Sequence, residues 1–243
     1  MSKKSRQQAA FLRFSFLISS LRMPRVATLR AVSVVVGAGL LNGCASGGNS
    51  PLDEALTALL PDKAAANAQA SEISFASLMV NTSDRQGLLV LGAMGGPATF
   101  WPTGNNSMIS LYHGGLQATA GLPEDLLTTR YFPLDATEAA DYVPWQQATP
   151  VEYRLERLWE DNEGLTRALG ATARLTCEAP TVVAYPLGEQ RVERCVSHRQ
   201  WDDGSNTRAT LWRDAHSKRL WAVDEVPWPE GPRIQWEVAR PWW

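Results

Sequence analysis

Two textures of apolar and polar positions divide the chain near residue 71. Beyond it, short alternating or apolar runs are cut by Gly, Pro, Asn and Asp, the pattern of strands joined by turns. Strands are expected at residues 74–80, 87–93, 98–101, 108–112, 116–120, 171–177, 181–185, 191–198, 207–213, 219–226 and 234–240. The stretch 151–169 is ambiguous and reads as a helix or a helix–strand mixture. Ahead of residue 71 the spacing turns helical: PLDEALTALL, residues 51–60, places Asp53 and Glu54 in a first turn and predicts a short helix. The alanine-rich residues that follow extend that helix or act as a linker. With no repeat and no second shift of composition, residues 71–243 predict a mainly β fold: a single antiparallel β domain built as a curled sheet, a barrel-like closure or a sandwich.

Within this domain, LYHGGLQATAGLP at residues 111–123 raises the question of a phosphate-binding loop. Neither the spaced glycines of a dinucleotide fingerprint nor the Lys-Ser/Thr pair of a P-loop is present. Gly114 and Gly115 are better placed as the turn of a hairpin, where positive φ is needed, with the returning strand ending at Gly121.

The N-terminus speaks to location. The apolar run 31–43 follows Arg22, Arg25 and Arg30 and ends at Cys44, the arrangement of a secretory signal and too short for a membrane span. Leu41-Asn42-Gly43-Cys44 resembles a bacterial lipobox, which implies acylation of Cys44 and anchoring in membrane lipid. Residues 45–50, ASGGNS, have the composition of a flexible tether. The chain thus divides into a signal at 1–43, a tether and short helix at 44–70, and the β domain at 71–243. Met23 is an alternative start to Met1. By the sorting pattern of such lipoproteins, Ala45 rather than Asp implies the outer membrane.

Removal of the signal changes the charge. The whole chain has 23 Lys and Arg against 25 Asp and Glu, but seven of the basic residues and none of the acidic ones precede Cys44. The mature chain is therefore acidic, with 16 basic and 25 acidic residues and a formal net charge of minus nine. That disfavours nucleic acid as a partner, since such binding needs a basic face. Arg191, Arg194, His198 and Arg199 form a candidate local patch or simply a solvated strand face. Beyond Cys44 two cysteines remain, Cys177 and Cys195. In an oxidising compartment they suit a disulfide, with free thiols or a metal site as alternatives; no CxxC or HxxxH motif accompanies them. No cofactor motif is present.

Trp101, Ser107 to Leu111, then Gly114, Leu116, Thr119, Gly121 and Leu122 resemble the "W…n-G-x-L-x-x-T-x-G-L" segment of the YjbF/GfcB family of exopolysaccharide and group 4 capsule lipoproteins. Trp212, Asp214, Leu220, Trp221 and Pro227 resemble its "W-x-D…x-W…P" hairpin, and Arg240-Pro241-Trp242 its closing end. Gly115, and residues 103–106, depart from the family pattern. The resemblance implies a role in assembling or exporting an extracellular or capsular polysaccharide, with an outer-membrane β-barrel protein of the export system as partner.

Local catalytic signals are absent from the sequence. There is no G-x-S-x-G elbow, and His113, His198 and His216 lack an evident nucleophilic partner. Asp224 and Glu225 are adjacent, so in a strand they point to opposite faces and cannot form a glycosidase pair. Tryptophan is the other candidate: seven of the ten lie between Trp201 and Trp243. Trp101, Trp212 and Trp221 are candidate core anchors; Trp221, Trp228 and Trp242 are candidates for sugar stacking, and Trp242 and Trp243 for a partner surface. The sequence reading is a non-catalytic, periplasm-facing outer-membrane lipoprotein of polysaccharide export. A carbohydrate-binding module that holds the polymer directly, and a polysaccharide-modifying enzyme, are the alternatives.

Overall fold

The computed structural model describes residues 68, 72–82, 86–104, 106–136 and 141–243. Cys44, the signal and the helix expected at 51–60 lie outside these residues. The chain runs β1(Ser77–Thr82), β2(Gln86–Val90), β3(Ala93–Gly95), β4(Ala98–Gly104), β5(Ser107–Tyr112), β6(Gly115–Ala120), β7(Asp125–Pro133), a 3₁₀ turn at Pro144–Gln146, β8(Val151–Glu160), β9(Thr166–Cys177), β10(Thr181–Tyr185), β11(Gly188–Trp201), β12(Asn206–Asp214), β13(Leu220–Glu225) and β14(Ile234–Arg240). The expected limits of β10 and β14 are met.

Every strand pairing is antiparallel. Ten strands make one long sheet in the order β2-β1-β14-β13-β12-β11-β9-β8-β7, with β10 paired to the free half of β11; β3-β4-β5-β6 make a second sheet. The long sheet is not closed into a barrel: β2 and β7 stand at its two ends. A single apolar cluster unites the two sheets, taking Trp101, Ile109, Leu111 and Leu116 from the small one and Leu155, Leu211, Val223, Ile234, Trp236 and Val238 from the long one.

Three local readings change. Residues 151–160 form a strand, because Tyr153, Leu155 and Arg157 are buried in strict alternation with Glu152, Arg154 and Glu156. A charged residue at an inward position hides that alternation from a hydrophobicity pattern. A turn at residues 161–165 and the start of β9 take up the rest of the ambiguous stretch. Strand β7 was not expected; a bulge between Leu126 and Thr128 breaks its period-two pattern. The β5–β6 turn sits one residue earlier than Gly114-Gly115. Its central residues are His113 and Gly114, with φ of 48° and 82°, while Gly115 belongs to β6. Positive φ at both central positions is the geometry of a type I′ hairpin turn.

Gly115 has a different task. A Cβ there would overlap the indole of Trp145, which lies on the hairpin backbone. The Trp145 Nε1 donates to the His113 carbonyl at 3.1 Å. Arg213 of β12 donates to the carbonyls of Trp145 at 2.6 Å and Gln147 at 2.9 Å, and its Nε to Glu193 at 2.7 Å. The 3₁₀ turn is thereby clamped between the two sheets.

Candidate functional site

Facing strands of the long sheet carry a buried charge cluster. Arg157 of β8 and Arg199 of β11 both donate to Oε2 of Glu225 on β13, at 3.0 and 2.7 Å. Arg157 is 1% exposed and Glu225 3%. Arg157 also donates to the Pro227 carbonyl. Burial alone would raise the Glu225 carboxyl, but the two guanidiniums outweigh it and hold the group below the usual carboxylate range. Beside the cluster lies a cavity of about 10 Å³ lined in part by Tyr131, Tyr153, Trp145 and Arg199. Burial pushes the Tyr131 hydroxyl up to about 12, so it stays a neutral donor. With one net positive charge, no approach for a polymer and room for about one water, this cluster is a structural core element.

The residues singled out from the sequence hold corners. Thr119 donates to Asp125 at 2.9 Å and accepts the Leu126 amide at 2.8 Å, while Asp125 accepts the amides of Gly121 and Leu122. These bonds fix the β6–β7 corner that joins the two sheets. Gly121 has φ of 79° there. Gly114 lies against Leu220, and Leu116 is buried. Asp214 accepts the amides of His216 and Ser217 and shapes the β12–β13 turn.

Six of the ten tryptophans fall into two groups of ring contacts. Trp101, Trp242, Trp243, Trp221 and Tyr185 form a chain of ring contacts with successive centroid distances of 5.1, 4.5, 5.5 and 5.0 Å. Trp101 is fully buried and Trp221 nearly so; Trp242 is half-buried, and Trp243 is 41% exposed, with Arg219 over its ring. Pro241 leads into this chain and is half-buried. Trp228 is 2% exposed and stacks on Trp159, with centroids 5.5 Å apart. Buried between Trp159 and Gly231, it offers no ring face to a sugar, contrary to its candidate role.

The outer face of the long sheet holds a groove of about 430 Å³. Strand register arranges its floor in two rows. Trp212, Ala222, Glu237 and Met79 face one another in one, and Asp224, Gln235, Asn81 and Gln86 in the next. The β10–β11 hairpin supplies a wall with Val183 and Tyr185. Asp224 receives both Nε and an Nη of Arg233, at 2.8 and 2.5 Å, which hold its carboxyl below the usual range. Burial and the nearby Glu237 raise the Tyr185 hydroxyl. The groove therefore combines an indole and a phenol with planar acceptors and donors.

A sequence profile described as "Group 4 capsule polysaccharide lipoprotein gfcB, YjbF" matches residues 50–236. The chain belongs to the YjbF family. The crystal structure of the hypothetical lipoprotein YmcC from Escherichia coli has the same fold, with a TM-score of 0.63 at 13% identity, covering 81% of this chain and 98% of that one. No curated protein matches the chain.

In this YjbF-family chain a disulfide joins Cys177 of β9 to Cys195 of β11. The Glu193 carboxylate lies within 4.8 Å of both sulfurs, but sulfurs bonded to each other offer no thiolate to a metal. Glu193 is held instead by Arg213 and Lys218. The four candidate basic residues do not form one patch. Arg199 turns inward to Glu225, Arg194 pairs with Glu178 at 2.7 Å, and His198 and Arg191 are exposed. Sequence reasoning missed Asp125, Glu225 and the groove residues. Strand alternation did place Asp224 and Glu225 on opposite faces, and the structure turns Asp224 outward and Glu225 inward. Among the described residues, no helix is long and apolar enough to cross a membrane.

Proposed function

We propose that the protein is a lipoprotein of the outer membrane, anchored through acylated Cys44 and facing the periplasm, that assists assembly or export of an extracellular polysaccharide without catalysing a reaction. The observation that carries this reading is the capsule-lipoprotein family match across residues 50–236, together with a Cys44 that closes a signal-like N-terminus. An outer-membrane β-barrel protein of the same export system is the partner that the role requires, and Trp243, exposed beside Arg219, is an aromatic contact available to it. A non-catalytic role is supported by the binding of the Glu225 carboxylate to two arginines and of the Asp224 carboxylate to Arg233, which depresses both carboxyls, whereas a general acid requires a raised one.

The test is the distribution of polysaccharide in a strain lacking the gene. Polymer lost from outside the cell and accumulated in the periplasm is the expected outcome, with Cys44→Ala reproducing it. Unchanged amount and location would overturn the export role. Direct binding of the polymer is a second reading, favoured by the outer-face groove.

A further inference from the structure

We infer that the outer-face groove is a saccharide-binding site that accepts a neutral segment of glycan, with Trp212 as its stacking platform and Asp224 as its fixed acceptor. The inference rests on the polysaccharide reading above and assigns the contact to particular residues. Its volume of about 430 Å³ falls in the ~300–1,000 Å³ range of small-ligand sites, so it suits a short stretch of chain.

The chemistry of the lining is selective. A sugar ring has an apolar C–H face and a rim of hydroxyls. Trp212 is half-buried, so its position is fixed by packing while part of the indole faces the groove; an indole offers a large apolar surface with little rotamer entropy to lose. Around it stand Asn81, Gln86 and Gln235, whose amides both donate and accept, and the carboxylates of Asp224 and Glu237. Two of these groups are already oriented by neighbours: Asn81 donates to Gln235 at 3.1 Å, and Asp224 is gripped by Arg233 through both oxygens. A carboxylate has about four lone-pair directions; Arg233 takes two and Gln235 a third, which leaves Asp224 an acceptor direction for a ligand hydroxyl. Preorganised polar groups of this kind lose little entropy when a ligand binds.

Charge excludes the acidic polymers. None of the lining residues is cationic, and two are carboxylates. Arg233 is engaged by Asp224, and the mature chain is acidic overall. A uronic-acid or phosphate-bearing segment would bring like charge to the groove; an uncharged one meets amide donors and acceptors and two carboxylate acceptors without repulsion.

The test uses the full chain purified in detergent. The probes are cellohexaose, maltohexaose and neutral fragments of the parent strain's own extracellular polysaccharide, with oligogalacturonate as the acidic comparison. Titration calorimetry and tryptophan fluorescence read binding. A neutral glycan is expected to bind, and Trp212→Ala and Asp224→Asn are each expected to weaken it about tenfold or more, the scale of one lost stacking or charge-assisted contact. Trp212→Phe is expected to retain most of the affinity, and Leu165→Ser, on the exposed β8–β9 turn, all of it. Circular dichroism verifies folding of each variant. No binding by any neutral probe, equal binding by Trp212→Ala, stronger binding of oligogalacturonate, or release of new reducing ends would each overturn the inference.

Complementation separates the two levels. If the deletion strain loses export and the Trp212→Ala gene restores it fully, the groove assignment fails while the export role stands. If deletion leaves polysaccharide unchanged, the export role fails, and the titrations alone decide the groove.

Discussion

Asp224 and Glu225 are neighbours on β13 with the same charge, yet they occupy opposite worlds. Glu225 turns inward, is 3% exposed and is held by two buried arginines from β8 and β11. Asp224 turns outward onto a groove and pairs with an exposed arginine nine residues along the chain. What a carboxylate contributes is thus set by the face of the sheet it occupies. The inner one ties together three strands that are not neighbours in the sheet, β8, β11 and β13. The outer one contributes little to the fold and is free to serve a ligand.

The largest effect should come from breaking the inner side. Glu225→Ala leaves Arg157 and Arg199 buried without a counter-charge and is expected to cost about 3–5 kcal/mol in urea unfolding. Replacing Arg157, Arg199 and Glu225 together by Met and Leu should recover most of that loss; a triple variant as unstable as the single would contradict the account. The pH dependence has a definite sign. The folded carboxyl of Glu225 lies below its unfolded value, so its stabilisation is present above the ordinary carboxyl range and is lost as pH falls through the depressed folded value. Glu225→Gln should flatten that acid limb of the unfolding curve.

Next in size is the disulfide. Cys195 pairs with Leu211 on the inner side of β11, while the hairpin that walls the outer groove begins just beyond Cys177. Closing a loop with a sequence separation of 18 is expected to contribute about 3 kcal/mol, read as the shift in unfolding of Cys177→Ser/Cys195→Ser. Because the bond pins the base of that hairpin, the double variant should also weaken glycan binding, and it is the one change expected to touch both faces. Gly115→Val comes third. Its side chain would collide with Trp145 and is expected to cost about 1–3 kcal/mol by overpacking, measurable as a lowered melting temperature with the outer groove unaffected. Asp224→Asn is the smallest. Its pair with Arg233 is partly exposed, so stability should change by about 0–1 kcal/mol, even as saccharide binding falls. A large stability loss there would erase the contrast between the two faces.

The legibility of these features follows the range of the interactions that make them. Strands β10 and β14 were readable to the residue because their pattern is local, and so was the hairpin of β5 and β6, apart from its one-residue shift. Alternation was enough to send Asp224 and Glu225 to opposite sides. The strand at Val151–Glu160 was not readable, because Arg157 stands where a strand pattern asks for an apolar residue, and its justification is Glu225, 68 residues away. Trp228 was misassigned for a related reason. Its loop position suggests exposure, and only the stacking on Trp159 removes it from the surface. The groove is wholly non-local, since its two rows are assembled by pairing strands from both ends of the β domain.

The same assembly sets an order on folding. The first strand of the long sheet, β1, lies between β2 and β14, and Asn81 bonds to Gln235 across 154 positions of the chain. Until β14 has been made, β1 has half of its ladder unfilled and the groove has no floor. Such distant pairing is slow to form. The sheet therefore stays unfinished until β14 is in place, and β14 acts as the latch on β1.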